Sequence, residues 1–226
     1  MRRTVVRGRL EPVVRARGRR NPISQRLVPP PLPANSSCPP RRRPSVGTVI
    51  TASRHVLRCV YVIATAAMPV LEVARPIELL KNRGWTVGVI LSPTAAEWLD
   101  DKRLAEFTGC IVRSAPRMPT EDDPLPDADA VLAAPLTFNS LNKWAAGLAD
   151  TVAVGNLCES LGTGVPIVAA PCVNDELRRH PAYSDSIERL SAAGVHFIDP
   201  DTVSRQDDNA FDWDAVLREF ERHVGR

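Results

Sequence analysis

Short hydroxyl side chains recur along the sequence directly after runs of apolar residues. Thr65 follows one such run, Ser92 and Thr94 follow the next, and Thr137 and Ser140 follow a later one. Where a strand gives way to a helix, free backbone N–H groups and the helix dipole favour an anion, and a hydroxyl adds a donor without crowding it. Any one of them alone is more simply the N-cap of its own helix. Their recurrence at successive strand ends favours a phosphate-binding site.

The elements that must position these residues follow from the apolar pattern. From residue 58 onward, short β-branched runs alternate with amphipathic stretches, which is typical of a parallel sheet covered by helices. We therefore predict an α/β fold, a three-layer Rossmann-like (flavodoxin-like) parallel sheet with helices on both faces. Gly84 and Gly194 stand where helices should end. The predicted strands cover 59–65, 86–91, 110–112, 130–134, 165–169 and 195–198, and the predicted helices cover 70–83, 93–107, 140–148, 151–161, 184–193 and 213–223.

The carboxyl ends of the predicted strands are where a ligand should bind. Four turns follow predicted strands and should lie together at that edge of the sheet: 65–68, 92–94, 134–140 and 171–174. None carries the glycine pattern of a dinucleotide-binding or P-loop site, which argues against a dinucleotide or a nucleoside triphosphate. A phosphate held by hydroxyl-rich turns is more typical of FMN.

Segment 134–140 carries a resemblance to a known family. It reads Ala-Pro-Leu-Thr-Phe-Asn-Ser, and Lys-Trp-Ala-Ala-Gly-Leu-Ala-Asp continues the pattern over 143–150. Over residues 59–182 the chain resembles the homo-oligomeric flavin-containing cysteine decarboxylases, a flavoprotein family that includes phosphopantothenoylcysteine decarboxylase and the lantibiotic peptide decarboxylases. Their flavin-site motif is Ala-Pro-(Ala/Leu)-(Thr/Ser)-Ala-Asn-Thr. The resemblance implies FMN as cofactor, a small-molecule or peptide substrate, and a homo-oligomer (trimer or a multiple of it) with flavin near the subunit contacts. The predicted cofactor-binding residues are Thr65, Ala66, Ala67, Ser92, Thr94, Pro135, Thr137, Asn139 and Ser140.

Two turns depart from the family pattern. The first reads Thr-Ala-Ala-Met at 65–68, where the family has Thr-Gly-(Ser/Gly)-Ile, and the lost glycine limits how closely the backbone can approach a phosphate. The substrate clamp, Pro-Ala-Met-Asn followed by Met-Trp in the family, reads Pro-Cys-Val-Asn at 171–174, followed by Leu177 and Arg178. The spacing is kept, and Asn174 would face the substrate.

Two further departures concern catalysis. Glu121 stands fourteen residues before Pro135, where the decarboxylases place a His, and residues 199–226 lack the Cys of the family's flap. Without this acid-base pair, decarboxylation by the family mechanism is not expected. The remaining candidates for a catalytic role are Glu121, Asn139 and Asn174. An acidic loop such as 121–123 is more simply a solvated surface.

These residues leave two functions open. The first is an FMN-dependent enzyme acting on a small molecule or peptide, an oxidoreductase or a lyase. The alternative is a flavin-binding regulatory or scaffold protein without catalytic activity. No metal site is predicted, because the five Cys are scattered and the His residues lack metal-ligand spacing.

The first 55 residues differ in composition from the rest. Fourteen of the 29 basic residues lie in 1–58 against one of the 26 acidic ones, and nine of the 21 prolines lie there too. We predict a disordered arm at 1–55 and an FMN-binding domain at 56–226. A basic arm could bind nucleic acid or an anionic membrane, or it could be a transit peptide. We expect no membrane partner and no nucleic-acid partner, because an Arg-rich, Lys-poor composition is more simply explained by a GC-rich gene, with the native start nearer Val46 or Val49. Scattered cysteines and the absence of an apolar run long enough to span a bilayer fit a cytoplasmic protein.

Overall fold

The structure, a computed structural model, describes residues 58–205 and 210–225, so the predicted basic arm at 1–55 lies outside it. The described chain contains a parallel sheet in the order β3-β2-β1-β4-β5-β6. This is the six-stranded Rossmann order. Successive strands are added on one side of β1 up to β3 and on its other side from β4 onward, so the switch point of the sheet lies between β1 and β4. The strands are β1 (Arg58–Ala64), β2 (Trp85–Leu91), β3 (Ile111–Arg113), β4 (Ala130–Leu136), β5 (Ile167–Pro171) and β6 (His196–Phe197).

Helices connect the strands and cover both faces of the sheet. A single 3-10 turn, Met68–Glu72, precedes the first helix, and a short antiparallel pair, β7 (Ser204–Arg205) and β8 (Ala210–Phe211), precedes the last. The helices are α1 (Ala74–Asn82), α2 (Pro93–Trp98), α3 (Asp101–Thr108), α4 (Phe138–Ala145), α5 (Val152–Thr163), α6 (Asp175–Arg178), α7 (Pro181–Ala192), α8 (Pro200–Val203) and α9 (Trp213–Val224).

The sheet buries a separate apolar layer on each face. Alternate residues of a strand point to opposite faces, so Val60 and Val62 of β1 pack with α1 and α9, while Ile63 packs with α4, α5 and α7. Trp213 is fully buried in the first layer and Trp144 almost fully buried in the second. Strands covered on both faces confirm the predicted three-layer α/β fold.

The predicted helices were correct in position, with differences that local capping explains. The single helix predicted at 93–107 is wrong: Leu99 is extended, and the Asp100 side chain accepts a hydrogen bond from the Arg103 N–H at 3.0 Å, which begins a second helix. Gly84 and Gly194 have φ values of 87° and 100°, as predicted for residues that end helices. The short elements α6, α8, β7 and β8 were not predicted.

No helix of the described residues is long and apolar enough to cross a membrane. Within the same ranges, no three His, Cys, Asp or Glu side chains gather where they could hold a metal ion.

Candidate functional site

A pocket of about 570 Å³ opens at the carboxyl ends of β1, β2, β4 and β5, around the switch point between β1 and β4. We call it the strand-end pocket. It brings together seven of the nine residues predicted to bind a cofactor, and the two others, Thr65 and Pro135, lie behind its lining. The lining consists of Ala66, Ala67, Ser92, Pro93, Thr94, Trp98, Thr137, Phe138, Asn139, Ser140, Lys143, Thr151, Val154, Cys172, Val173, Asn174 and Leu177.

Thr65 joins the ends of the two central strands beneath this pocket. Its side chain is almost fully buried. The hydroxyl donates to the Pro135 carbonyl at 2.9 Å and accepts from the Thr137 N–H at 2.8 Å. The Thr65 N–H also donates to the Pro135 carbonyl at 2.9 Å. The residue thus fixes the spacing of β1 and β4 at the switch point.

The turn after β4 presents polar groups to the pocket. Thr137 caps α4 by accepting from the Ser140 N–H at 3.4 Å, and its hydroxyl lies 3.1 Å from that of Ser140. The first N–H groups of a helix have no intrahelical acceptor, so those of Phe138 and Asn139 remain available. The Asn139 side chain is exposed and forms no hydrogen bond with the rest of the described chain. Its amide is therefore free to meet a ligand.

The turn after β2 supplies two hydroxyls. Ser92 is nearly buried and caps α2 by accepting from the Ala95 N–H at 3.3 Å. Thr94 is exposed, and within the described ranges its hydroxyl has no hydrogen-bond partner. Ser92 and Thr137 therefore act as helix N-caps, whereas the Thr94 hydroxyl neither caps a helix nor bonds to another described residue.

The turn after β5 closes the opposite side of the pocket. Asn174 caps α6 by accepting from the Leu177 N–H at 3.0 Å, and the NH₂ group of its side chain forms no hydrogen bond with the described residues. Cys172 also lines the pocket, and burial raises the pKa of its thiol, so the thiol stays protonated at neutral pH. Phe138 meets His180 edge-on, with ring centroids 5.6 Å apart, across the rim.

Glu121 lies outside the strand-end pocket. It is exposed on the loop between β3 and β4, where its carboxylate accepts from the Met118 N–H at 3.1 Å. Its own N–H donates to the Met118 carbonyl at 3.0 Å, which closes a turn. The structure therefore brings Asn139 and Asn174 to one pocket but does not bring Glu121 to them.

Sequence reasoning assigned no binding or catalytic role to nine of the 17 lining residues, among them Trp98, Lys143 and Cys172. Lys143 follows Asn139 by four positions on α4, a helical spacing that could have placed both on one face. Its ammonium group forms a 2.5 Å ion pair with Asp150. No sequence signal distinguishes Trp98, which is 48% exposed, from an ordinary surface aromatic.

A second pocket, of about 550 Å³, adjoins the first and shares Pro93 and Thr151 with it. We call it the loop pocket, because the β3–β4 loop forms one wall and a face of α5 forms the other. It contains Arg113, Arg117, Asp123, Asp150 and Glu159. The remaining lining residues are Ser114, Pro116, Met118, Pro119, Ala149, Val152, Gly155 and Asn156.

Comparison with known proteins gives similar sequences and similar solved structures. The coenzyme A biosynthesis bifunctional protein CoaBC of Bacillus subtilis is 27% identical over 154 residues, which is 66% of this chain and 36% of that protein. The chain thus spans about a third of the length of this relative. Among solved structures, the FMN-dependent cysteine decarboxylase SpaF matches with a TM-score of 0.61 and 17% identity, covering 76% of this chain and 98% of that one. The FMN-binding protein AtHal3 matches with a TM-score of 0.60 and 16% identity, covering 74% and 97%.

At these identities the solved structures establish the fold, and a family model establishes more. The model described as Flavoprotein matches residues 50–222, which include every strand of the main sheet and all the strand-end turns. This chain belongs to the flavoprotein family.

Proposed function

We propose that the protein binds FMN in the strand-end pocket and acts as a flavin-dependent enzyme on a small molecule or peptide. The observation that carries the proposal is the unpartnered amide of Asn139 beside the free N–H groups that open α4, at the switch point of the sheet. Ligands of doubly wound sheets bind at that point. The FMN named for SpaF and AtHal3, which share this fold, supports the same cofactor.

The residues present fit such a group. The pocket volume lies within the range usual for cofactor sites, roughly 300–1,000 Å³. Thr94, Ser140 and the first N–H groups of α4 offer neutral donors for a phosphate, and Ala66 and Ala67 keep the first turn narrow with methyl side chains only. When bound, FMN would supply redox chemistry, while Asn139 would orient it and Asn174 would face the substrate.

The absorbance spectrum of the purified protein tests the proposal directly. We expect the two bands of an oxidised flavin, or, for protein purified without it, a rise in melting temperature on addition of FMN. Asn139→Asp should weaken FMN binding, because it replaces an amide donor with a carboxylate beside an anionic ligand. Asn82→Asp, an exposed Asn at the end of α1, is the matched control and should bind as wild type. A colourless protein whose melting temperature is unchanged by added FMN would refute the proposal.

We also propose that the protein does not decarboxylate phosphopantothenoylcysteine or a C-terminal peptide cysteine at an appreciable rate. Glu121, at the position of the decarboxylase His, lies outside the strand-end pocket, and no Cys follows Cys172 in the sequence. General acid-base groups typically contribute ~10²–10⁴-fold to a rate. Carbon dioxide release by the FMN-loaded protein, at a rate matching an authentic decarboxylase run alongside, would overturn this expectation.

The same observations favour a second candidate, a flavin-binding module without catalytic activity. In that case the FMN-loaded protein would bind flavin as expected, while the flavin would not be reduced by any small-molecule donor tested. Stopped-flow reduction with a panel of thiols and amines separates the two candidates, because an enzyme reduces its flavin when its substrate is added.

We propose, further, a homo-oligomer, for which the rim of the strand-end pocket offers a surface. Trp98 and Leu177 of the pocket lining are 48% and 39% exposed, and Met68 and Leu71, which follow the lining residue Ala67 in the chain, are 53% and 51% exposed. Exposed apolar surface of this kind typically marks an interface. Light scattering should give a trimer or a multiple of it, and a monomer at micromolar concentration would contradict the proposal.

The four described cysteines are free thiols, which agrees with a reducing, cytoplasmic environment.

A further inference from the structure

The loop pocket contains two uncompensated charges of opposite sign. Arg113 and Arg117 share one carboxylate: Asp123 lies 3.1 Å from the Arg113 guanidinium and 3.4 Å from that of Arg117. Two guanidinium groups on one carboxylate leave a net charge of one positive unit on the loop wall. Arg117 also donates to the Glu121 carbonyl, so neutral acceptors rather than further anions complete its contacts.

The opposite wall carries the negative charge. Val152, Gly155, Asn156 and Glu159 are spaced as one face of α5, and all four line the pocket. Glu159 is exposed and forms no ion pair with any described residue. Asp150, the other acidic group on this side of the pocket, forms an ion pair with Lys143 at 2.5 Å.

The pocket is therefore neutral overall, with positive and negative charge on separate walls. A purely anionic ligand would meet Glu159, and a purely cationic one would meet the arginine pair. A molecule with a carboxylate at one end and an ammonium group at the other satisfies both, because charged hydrogen bonds form at each end. The shared residues Pro93 and Thr151 place such a molecule next to the strand-end pocket.

From this arrangement we infer that the loop pocket binds a zwitterionic amino acid or short peptide, with its carboxylate on Arg113 and Arg117 and its ammonium group on Glu159. This inference rests on the proposed function in one respect, since it identifies the bound molecule as the substrate class that meets the flavin. The binding itself does not depend on flavin.

Alanine, dialanine and trialanine are suitable probes, since they carry the same two charges at increasing separation. Each is titrated calorimetrically into the full chain with and without FMN, and so are its N-acetyl and C-terminal amide forms, each of which lacks one charge. We expect one length to bind best, and blocking either end to weaken binding by about tenfold or more.

Single substitutions assign each charge to its partner. Arg117→Gln should weaken the free probe about tenfold yet leave its amide form unaffected, whereas Glu159→Gln should weaken the free probe and leave its N-acetyl form unaffected. Arg75→Gln removes an arginine that is also ion-paired, to Asp214 at 2.6 Å, but lies in neither pocket, and should bind as wild type.

Gly155→Leu provides a variant that fills the pocket without changing its charge. A Cβ at Gly155 would meet nothing within 4 Å, and Leu is a better helix former than Gly, so the fold should be kept. Loss of probe binding with FMN affinity unchanged is the expected result. The inference is overturned if no probe length binds, or if blocking either end makes no difference, in protein that binds FMN normally. Failure to bind FMN, with probe binding intact, would instead refute the proposed function and leave the zwitterion site standing.

Discussion

The floor of the strand-end pocket and the loop wall of the loop pocket are built in opposite ways. Beneath the first, the buried Thr65 hydroxyl satisfies two backbone groups at the ends of β1 and β4. The second is held by ion pairs around Asp123, whose side chain is 37% exposed. Neutral hydrogen bonds that are buried cannot be replaced by water when one partner is removed, whereas exposed ion pairs can. The two regions should therefore respond very differently to substitution, pH and salt.

The largest effect is expected at Thr65. Thr65→Val removes the acceptor of the Thr137 N–H and the donor to the Pro135 carbonyl, and should lower the free energy of unfolding by about 1–3 kcal/mol, because a partly buried donor loses its partner. Thr65→Ser keeps the hydroxyl and should lie closer to wild type. Thr94→Val is the matched control, because the Thr94 hydroxyl lines the pocket and has no hydrogen bond to the described residues; it should change stability by less than ~0.5 kcal/mol. Urea denaturation measures all three, and a Thr65→Val protein as stable as the control would contradict the contrast.

An intermediate effect is expected where the β3–β4 loop is attached to the sheet. The Tyr61 hydroxyl donates to the Pro126 carbonyl at 2.7 Å, and the Cys59 N–H donates to Asp129 at 2.7 Å. Burial, with the Asp129 charge adding to it, raises the pKa of Cys59 from 9.0 to about 11. Burial and neighbouring anions likewise raise the pKa of Tyr61 from 10.0 to about 12.

Both shifts have the same consequence for stability. The unfolded chain loses these protons at lower pH than the folded chain. The contribution of the two groups to the free energy of unfolding is therefore fully present below pH 9.0, and it is lost as the pH rises toward about 11 for Cys59 and about 12 for Tyr61. Cys59→Ala should remove the first part of the fall and retain the part that belongs to Tyr61. Urea midpoints measured across this range test it, and an identical pH profile for the variant and wild type would show that Cys59 does not contribute.

The smallest effect is expected at Asp123. Asp123→Asn should change the free energy of unfolding by no more than about 1 kcal/mol, because partly exposed ion pairs contribute little. The difference from wild type should shrink as salt is added. Asp122→Asn, a neighbouring exposed carboxylate without an ion pair among the described residues, is the control. A loss as large as that of Thr65→Val would mean that the loop wall is as essential as the pocket floor.

The turns that line the strand-end pocket could be predicted from local signals, whereas several of its lining residues, such as Trp98 and Lys143, could not. Parallel order, strand ends and caps such as Thr137 follow from apolar periodicity and from residue type at a helix start, and the motif over 134–140 marked the segment on which Asn139 lies. What the sequence could not show is how each hydroxyl is used. Thr65 and Thr94 both follow strands, yet the Thr65 hydroxyl is hydrogen-bonded to Pro135 of β4, whereas that of Thr94 forms no hydrogen bond with the part of the chain that the structure describes.

The loop pocket could not be predicted at all. Its walls come from segments some forty residues apart, and the shared use of Asp123 by Arg113 and Arg117 is a matter of three-dimensional placement. The acidic cluster around Glu121 was identified as a candidate base or a solvated surface. Neither interpretation anticipated that Asp123 within that cluster would pair with both Arg113 and Arg117.

The ion pair between Lys143 and Asp150 has a thermodynamic consequence for the two pockets. Lys143 lines the strand-end pocket and Asp150 the loop pocket, so each charge neutralises the other across their common wall. An anion that attracts Lys143 on one side would leave Asp150 less neutralised on the other. Linkage requires the reverse as well: a molecule in the loop pocket that alters Asp150 must change the affinity of the strand-end ligand by the same factor.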